Sequence, residues 1–486
     1  DAPTIQRSGS AMVTFLPGEV YAPRRFRLTQ RDGTVLVIDR FDGLQSVTDR
    51  NGNTMTIAPE GITSTSTAAE VGISRDGAGR ITDIRAPGGI HTSYAYSASG
   101  DLERFRAAND AADTFTYDHA HYLLSVTGSA GRRLQTITYG PDGRAQAITD
   151  ALGNTTRIDA DVAARSESTT SPSGRLTTLL QYDDVGNLTS VNKVYAGRSH
   201  VTASTFDAEG RMTSTTDPLG RTRSFAYAAN GNVLRETLPD GSAWRTEYNA
   251  LDLPTATIAP DGRPVETMTY DGAGNLATLA AEGIETRFTT DGAGRLTRFT
   301  RPNGSTTFAY SSDSKVASLT NPAGETVHYD YDAAGRIRGV TDYAGARTEF
   351  GYDALGNVTS ITTADGAEQR YAYDEEGRLL SETDPLGAVT RYSYDAAGRV
   401  HTVTDREDRT TTYDYDADGN LVRGTLPDGE TIEVTVDAEG RRTAIADADS
   451  IVESAYDEAG QLRTERTRGA EGVALPDVTL TYEYDA

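Results

Sequence analysis

Cysteine is absent from the 486 residues, which excludes disulfides and thiolate metal sites. Lysine is almost absent too: among 46 basic residues, only Lys193 and Lys315 are lysines. Nowhere do 18 apolar residues follow one another, so no membrane-spanning helix is encoded. Trp244 is the single tryptophan, too few for the repeated aromatic cages of a sugar- or choline-binding solenoid. Hydrophobic residues make up only 37% of the chain, little for a thick two-layer core but suited to a single sheet with one face covered and the other wet. Positive charge is in deficit, and the net charge of −25 repels nucleic-acid backbones and anionic membrane surfaces. No nucleic-acid partner is expected; solubility is the plain consequence of that charge.

What the chain has in quantity is turns. Its 48 glycines and 17 prolines fall at regular intervals, which marks punctuation and not a disordered tract. Aligned on the aromatic before Asp-x-x-Gly-Arg/Asn, Tyr310, Tyr331, Tyr352, Tyr373, Tyr394, Tyr415 and Val436 stand 21 residues apart. The copies used to define the motif are Tyr331-Asp332-Ala333-Ala334-Gly335-Arg336, Tyr352-Asp353-Ala354-Leu355-Gly356-Asn357, Tyr373-Asp374-Glu375-Glu376-Gly377-Arg378 and Tyr394-Asp395-Ala396-Ala397-Gly398-Arg399. A second turn follows each by about ten residues, as in Asp217-Pro218-Leu219-Gly220 and Asp384-Pro385-Leu386-Gly387. The period covers residues 71–486; residues 1–70 read as a run-in with repeat-like β segments, such as Asp49-Arg50-Asn51-Gly52-Asn53. The chain opens at Asp1 without Met and stops at Tyr484-Asp485-Ala486, the start of another repeat. Both ends are expected to be cuts in a longer polypeptide, the array being truncated at its C-terminus.

Two turns per period leave segments of six or seven residues, too short for isolated helices and rich in strand-forming Thr, Val, Ile and Tyr. Asp at the first turn position bonds back to the backbone, Pro sets φ, and Gly in the fourth position supplies a left-handed residue. Each repeat is therefore one antiparallel hairpin. Before the motif the apolar spacing is two, as in Tyr329 and Tyr331. After it the spacing is three, as in Ile337 and Val340, which calls for a β-bulge in the outgoing strand. About forty such strands make a ribbon on the order of 190 Å long, and open sheets rarely exceed about ten strands without curling. The ribbon must therefore coil, tightly into a filled solenoid or widely around a cavity; the expected fold is all-β, a long antiparallel array of hairpins of about 21 residues, with a spiral hollow shell the expected form. The tyrosine hydroxyls need partners, so their face is expected to tolerate water or a loosely held polypeptide.

The Y-D-x-x-G-R/N repeat, with its D-P-x-G partner, resembles the YD-repeat or Rhs family over nearly the whole chain. The resemblance implies a hollow β-shell. In bacterial toxins of the Rhs, WapA-like and Tc C-subunit kinds, such a shell encloses a C-terminal toxic domain; in teneurins it serves cell-surface adhesion. It implies a secreted or cell-surface protein whose partners are a C-terminal toxin or other polypeptide cargo, absent from this chain, and further shell segments that act as plugs. Family members often end the shell with a self-cleaving aspartyl D-P-x-G motif. Asp217 and Asp384 stand in Asp-Pro-Leu-Gly, but mid-array, and read as repeat turns.

No catalytic, cofactor-binding or metal-binding residue is expected. Asp414-Tyr415-Asp416-Ala417-Asp418-Gly419-Asn420 imitates the start of an EF-hand loop, but position twelve is Thr425 where a bidentate Glu is required. His119 and His121 share a face if extended, with no third ligand in reach of the pattern. Acids recur in the same turn position in nearly every repeat, so their role should be turn geometry and not acid–base work. The Arg or Asn after each Gly reads as a turn-exit residue available to acids of the neighbouring repeat.

Overall fold

The structure, a computed structural model, describes residues 5–8, 11–14 and 24–484. Apart from a short 3-10 turn at Pro87–Gly89, every regular element among them is a β-strand. Ile5–Ser8 and Ala11–Thr14 pair with each other; 44 strands follow from Arg25–Thr29 to Val478–Thr481. Two units are distinguished. One comprises Asp1–His91, Glu247–Thr257 and Pro264–Gly345; the other Thr92–Thr246, Ile258–Arg263 and Ala346–Ala486. Within each, consecutive strands are antiparallel and hairpin follows hairpin.

The hairpin built on Thr326–Tyr331 and Ile337–Thr341 shows the local rule. Tyr329 faces Val340, Asp330 faces Gly339, and Tyr331 faces Ile337. The register slips there by one residue, so Arg338 is the extra residue of a bulge in the outgoing strand. His401 is the extra residue opposite Ser393 and Tyr394. The bulge brings side chains three apart in sequence onto the face that Tyr329 and Tyr331 share, as the spacing predicts. No slip occurs at the second turn, where Val403 faces Thr411 and Thr404 faces Thr410. The neck of that turn is held by a hydroxyl pair, Thr404 Oγ1 to Thr410 Oγ1 at 2.8 Å, repeated at Thr320 and Thr326, Thr216 and Thr222, and Thr149 and Thr155.

Little of this is a core in the usual sense. Ala256, still 8% exposed, is the single apolar side chain that counts as buried among the described residues. Strands alternate between half-buried and exposed positions towards the motif, as in Thr326–Tyr331 and Glu368–Tyr373. With so little deep burial, directional contacts carry the wall.

The clearest of these runs from repeat to repeat. The Tyr394 hydroxyl donates to the carbonyl of Leu379 at 2.7 Å, and that of Tyr415 to Val400 at 2.8 Å. Tyr331 reaches Val316 and Tyr373 reaches Val358, both at 2.9 Å. In each case the acceptor opens the strand that leaves the preceding motif. These hydroxyls are spent on backbone carbonyls of the wall, so the expectation that the tyrosine face stays open to water or loose chain on their account is revised. The same tyrosines carry a cation on the ring: Arg378 sits 4.8 Å from the Tyr394 centroid and Arg399 4.4 Å from that of Tyr415.

Tyr394→Phe keeps the ring and strands the Leu379 carbonyl. A local loss of about 0.5–1.5 kcal/mol is expected, read as faster hydrogen exchange in the strands around residues 379 and 394 with distant repeats unchanged.

Candidate functional site

The repeated turn is the charged constellation that recurs most often among the described residues, and its best copies are built the same way. Asp332 N–H donates to the Arg336 carbonyl at 2.9 Å, and Gly335 N–H donates to the Asp332 carbonyl at 3.0 Å. The Asp332 Oδ1 atom accepts the N–H groups of Ala334 and Arg336, both at 2.9 Å, and Oδ2 accepts Arg336 Nε at 2.7 Å. Asp374 with Arg378 and Asp395 with Arg399 repeat the arrangement, again with Nε at 2.7 Å. Asp353 holds Asn357 instead, accepting its backbone N–H at 2.9 Å and its side-chain amide at 3.0 Å. Gly335, Gly356, Gly377 and Gly398 have φ of +85°, +92°, +78° and +84°. Where glycine is replaced in this slot, His121, Asp252 or Ser314 stands there, and Asp110 and Asp408 take the same place in second turns, all with positive φ. Asp and His are among the non-glycine residues that best tolerate that conformation.

The turn-exit residue therefore pairs with the acid of its own motif and not with an acid of the neighbouring repeat. It reaches the neighbour by the face of the guanidinium over the next tyrosine and, at Arg211 and Arg295, by donating to the Ala228 carbonyl and Ser314 Oγ of the next motif at 3.0 and 3.1 Å. Burial pushes the carboxyls of Asp332, Asp374 and Asp395 up, but the backbone N–H and the guanidinium of the arginine four residues on outweigh it and hold all three below the usual carboxylate range.

A second use of the turns appears where each unit meets itself. In the unit of Thr92–Thr246 and Ala346–Ala486, Arg132 grips Glu376 with Nη2 at 2.7 and 3.0 Å, and its Nη1 donates to the Ala396 carbonyl. Ser173 N–H donates to Asp418 at 2.9 Å, and Arg175 Nη2 to the Val436 carbonyl at 2.7 Å. Lys193 and the Tyr195 hydroxyl each donate to Glu439 at 2.8 Å, and Arg221 donates to Gln461 at 2.9 Å. In the other unit Arg50 donates to the Gly274 carbonyl at 2.6 Å, and Asn51 and Asn275 exchange amide bonds at 3.2 and 3.0 Å. One rule covers most of these contacts. Second turns of the earlier stretch, mostly donors, dock on Y-D-x-x-G turns of the later one, with acceptors there. Glu376, Asp418 and Glu439 all occupy the residue just before the glycine. This seam was missed by the sequence reading, because its partners lie 244 to 264 residues apart in pairs such as Arg132 with Glu376 and Ala396.

The lesser candidates resolve as turns. Asp416 accepts the N–H groups of Asp418 and Asn420, and Asp418 is spent on Ser173. His121 occupies a glycine slot and pairs with Asp101 at 2.7 Å, apart from any bond to His119. Asp384 accepts the N–H groups of Leu386 and Ala388, and Asp217 is paired with Arg221 at 2.7 Å. No three His, Asp or Glu side chains converge in a metal-ligating arrangement among the described residues.

Comparison with known proteins agrees with this anatomy. The RHS repeat model matches residues 182–222, 331–368, 373–407 and 394–431, and the teneurin YD-shell model matches residues 240–343. Along these stretches the chain carries repeats similar to those of the Rhs and YD-shell kind. The chain is 25% identical over 234 residues to the probable deoxyribonuclease RhsB of Dickeya dadantii (strain 3937), covering 44% of this chain and 16% of that protein. Among solved structures, TcdB2-TccC3-Cdc42 aligns with a TM-score of 0.67 at 16% identity, over 88% of this chain and 27% of the other. A Photorhabdus luminescens Tc holotoxin pore aligns at 0.65 and 15% identity, over 92% of this chain and 26% of the other. The likeness shows the fold, a spiral β-shell of antiparallel hairpins. The chain thus spans between 16% and 27% of the length of these three proteins. No helix among its described residues is long and apolar enough to cross a membrane.

Two outcomes are expected of the turn. Because the folded-state carboxyls of Asp332, Asp374 and Asp395 titrate lower than unfolded ones, the stability they give is complete above about pH 4 and is lost as pH falls through their lowered values. Thermal melts should therefore drop in temperature below roughly pH 4, and Asp374→Asn should cost about 1–2 kcal/mol at neutral pH and flatten part of that acid slope. Gly398→Val should cost on the order of 1–2 kcal/mol for its left-handed backbone, localised by hydrogen exchange to its own hairpin.

Proposed function

We propose that this array is a container: a structural β-shell that encloses and shields a polypeptide cargo, the core of a secreted bacterial polymorphic toxin. The observation that carries the reading is the seam. A single hairpin layer has a rim of turns along each side, and a wall made from it leaks wherever two rims merely lie together. Here the rims are bonded turn to turn, with a bidentate Arg132–Glu376 pair and side-chain bonds to backbone carbonyls. Such bonding suits a barrier, whereas an adhesive surface has no need of a closed seam.

The cargo in this proposal is a C-terminal toxin domain or another polypeptide outside the present sequence, accompanied by further shell segments. The protein acts at the cell surface or after secretion. The array itself performs no chemistry, since its acids repeat in one turn geometry and each is occupied there. Residues 1–70 form the run-in and 71–486 the array proper. The teneurin YD-shell match at residues 240–343 favours a second reading, an extracellular adhesive or structural protein using the same wall.

The test is protease protection of the natural downstream segment, produced in one polypeptide with this array. Under the container reading the segment survives limited proteolysis in the native protein. It becomes sensitive when the seam is opened by Arg132→Ala combined with Lys193→Met, variants that leave the hairpin turns intact. Equal digestion in both forms, and at the rate of the segment made alone, would overturn the container in favour of the adhesive reading.

A further inference from the structure

Two turns of this chain have the same four residues and different surroundings. Asp217-Pro218-Leu219-Gly220 and Asp384-Pro385-Leu386-Gly387 lie in the same unit, and both are second turns. The first belongs to the seam. Arg221 donates to Gln461, Pro218 is half-buried beside Glu458, Ala459 and Gly460, and Leu219 is 43% exposed. The second has no such cover: Pro385 is exposed and Leu386 is 94% exposed. Local folding does not account for the difference, since in both turns the Asp accepts the N–H groups of the leucine and of the exit residue. Docking does.

Leu386 stands on a rim. The second turns of the later stretch, at 363–367, 384–388, 405–409 and 426–430, lie on the side of the ribbon away from the Y-D-x-x-G turns that enter the seam. No hydrogen bond or ion pair among the described residues leads from them beyond the neighbouring hairpin. Their charge also differs from that of docked second turns. The turns at 107–111, 128–132, 171–175 and 217–221 hold three arginines and two acids, and each of the four donates across the seam. The four free turns hold seven acids and two arginines. Asp365, Glu407 and Asp428 stand just before the glycine position. That is the place from which Glu376, Asp418 and Glu439 accept their donors in the seam. The free rim is thus a row of second turns by position and a row of acceptors by chemistry.

We propose that this rim is a docking edge for a separate polypeptide whose own row of β-turns is basic, with Lys or Arg before the turn glycine and an apolar seat for Leu386. The exposed leucine gives the contact an apolar centre, and the acids on either side of it fix register and exclude wrong partners. A second copy of the chain is a poor match, because its Y-D-x-x-G turns put acids such as Asp142, Glu209 and Glu376 in the facing place. Such docking holds whatever the wall encloses.

The probe is a pair of backbone-cyclised hairpins joined by a short Gly-Ser linker, so that neighbouring turns of the rim are met together. In one form each hairpin turn reads Asn-Pro-Lys-Gly-Arg; in the control it reads Asn-Pro-Glu-Gly-Gln. Fluorescence anisotropy with the full chain should show binding of the lysine form alone, weakening as salt rises. Hydrogen exchange should slow in the turns between residues 363 and 430 and nowhere else. Leu386→Ser, at an exposed side chain, should weaken binding about fivefold. Glu407→Lys with Glu430→Lys, both exposed, should reverse the preference to the glutamate form; unchanged exchange in the other hairpins shows that the variants fold. No binding, equal binding of both forms, or protection on another rim would each overturn the proposal. So would self-association of the chain that Leu386→Ser abolishes, which would assign the rim to a second copy.

Discussion

The wall depends on one carboxylate used three ways. In the turn at residues 332–336 it accepts two backbone N–H groups and a guanidinium, all within 2.9 Å. The first two bonds fix the path of the reversal, and the glycine that follows is thereby driven to positive φ. The third fixes the arginine, and a fixed arginine can cover the tyrosine of the next repeat, as Arg378 covers Tyr394. That tyrosine donates back to the strand leaving the same turn, at Leu379. One acid therefore organises a turn, an interface and the placement of the following hairpin. Repeat arrays gain stability as a sum of such neighbour terms, so a small motif repeated often can replace a core.

The sheet could not rely on burial instead. A single layer leaves nearly every side chain near solvent on one side or the other, and Ala256 is the one buried apolar side chain among the described residues. Net hydrogen-bond contributions are small one at a time, yet charge-assisted bonds are the stronger class and here they recur at nearly every turn. The threonine pairs at the second turn follow the same logic with neutral groups, as at Thr320 and Thr326.

The local architecture was legible because it is written within one period. Alternation by two before the motif and by three after it gave the hairpin and the bulge, and Arg338 and His401 are the residues that the bulge sets aside. The partner of the turn-exit arginine was not legible. Four residues across a left-handed turn bring Arg336 back to Asp332, whereas an extended chain would send it outward. The seam was less legible still. Arg132 and Glu376 are 244 residues apart, and neither departs from what its own repeat allows. Only the hairpin spanning residues 188–206 left a trace, as a spacing of 24 between Tyr182 and Phe206 where 21 prevails, together with one of the two lysines.

The shallow burial of the wall bears on how it responds to temperature. The heat-capacity change of unfolding comes mainly from apolar surface newly wetted, and polar surface reduces it. A layer whose tyrosines and valines are already half in water, and whose strength lies in polar contacts, wets little more when it opens. Its stability curve is then broad and shallow, with neither a sharp optimum nor an early failure in the cold. Where temperature varies, a wall of this kind is served better by such flatness than by a higher peak.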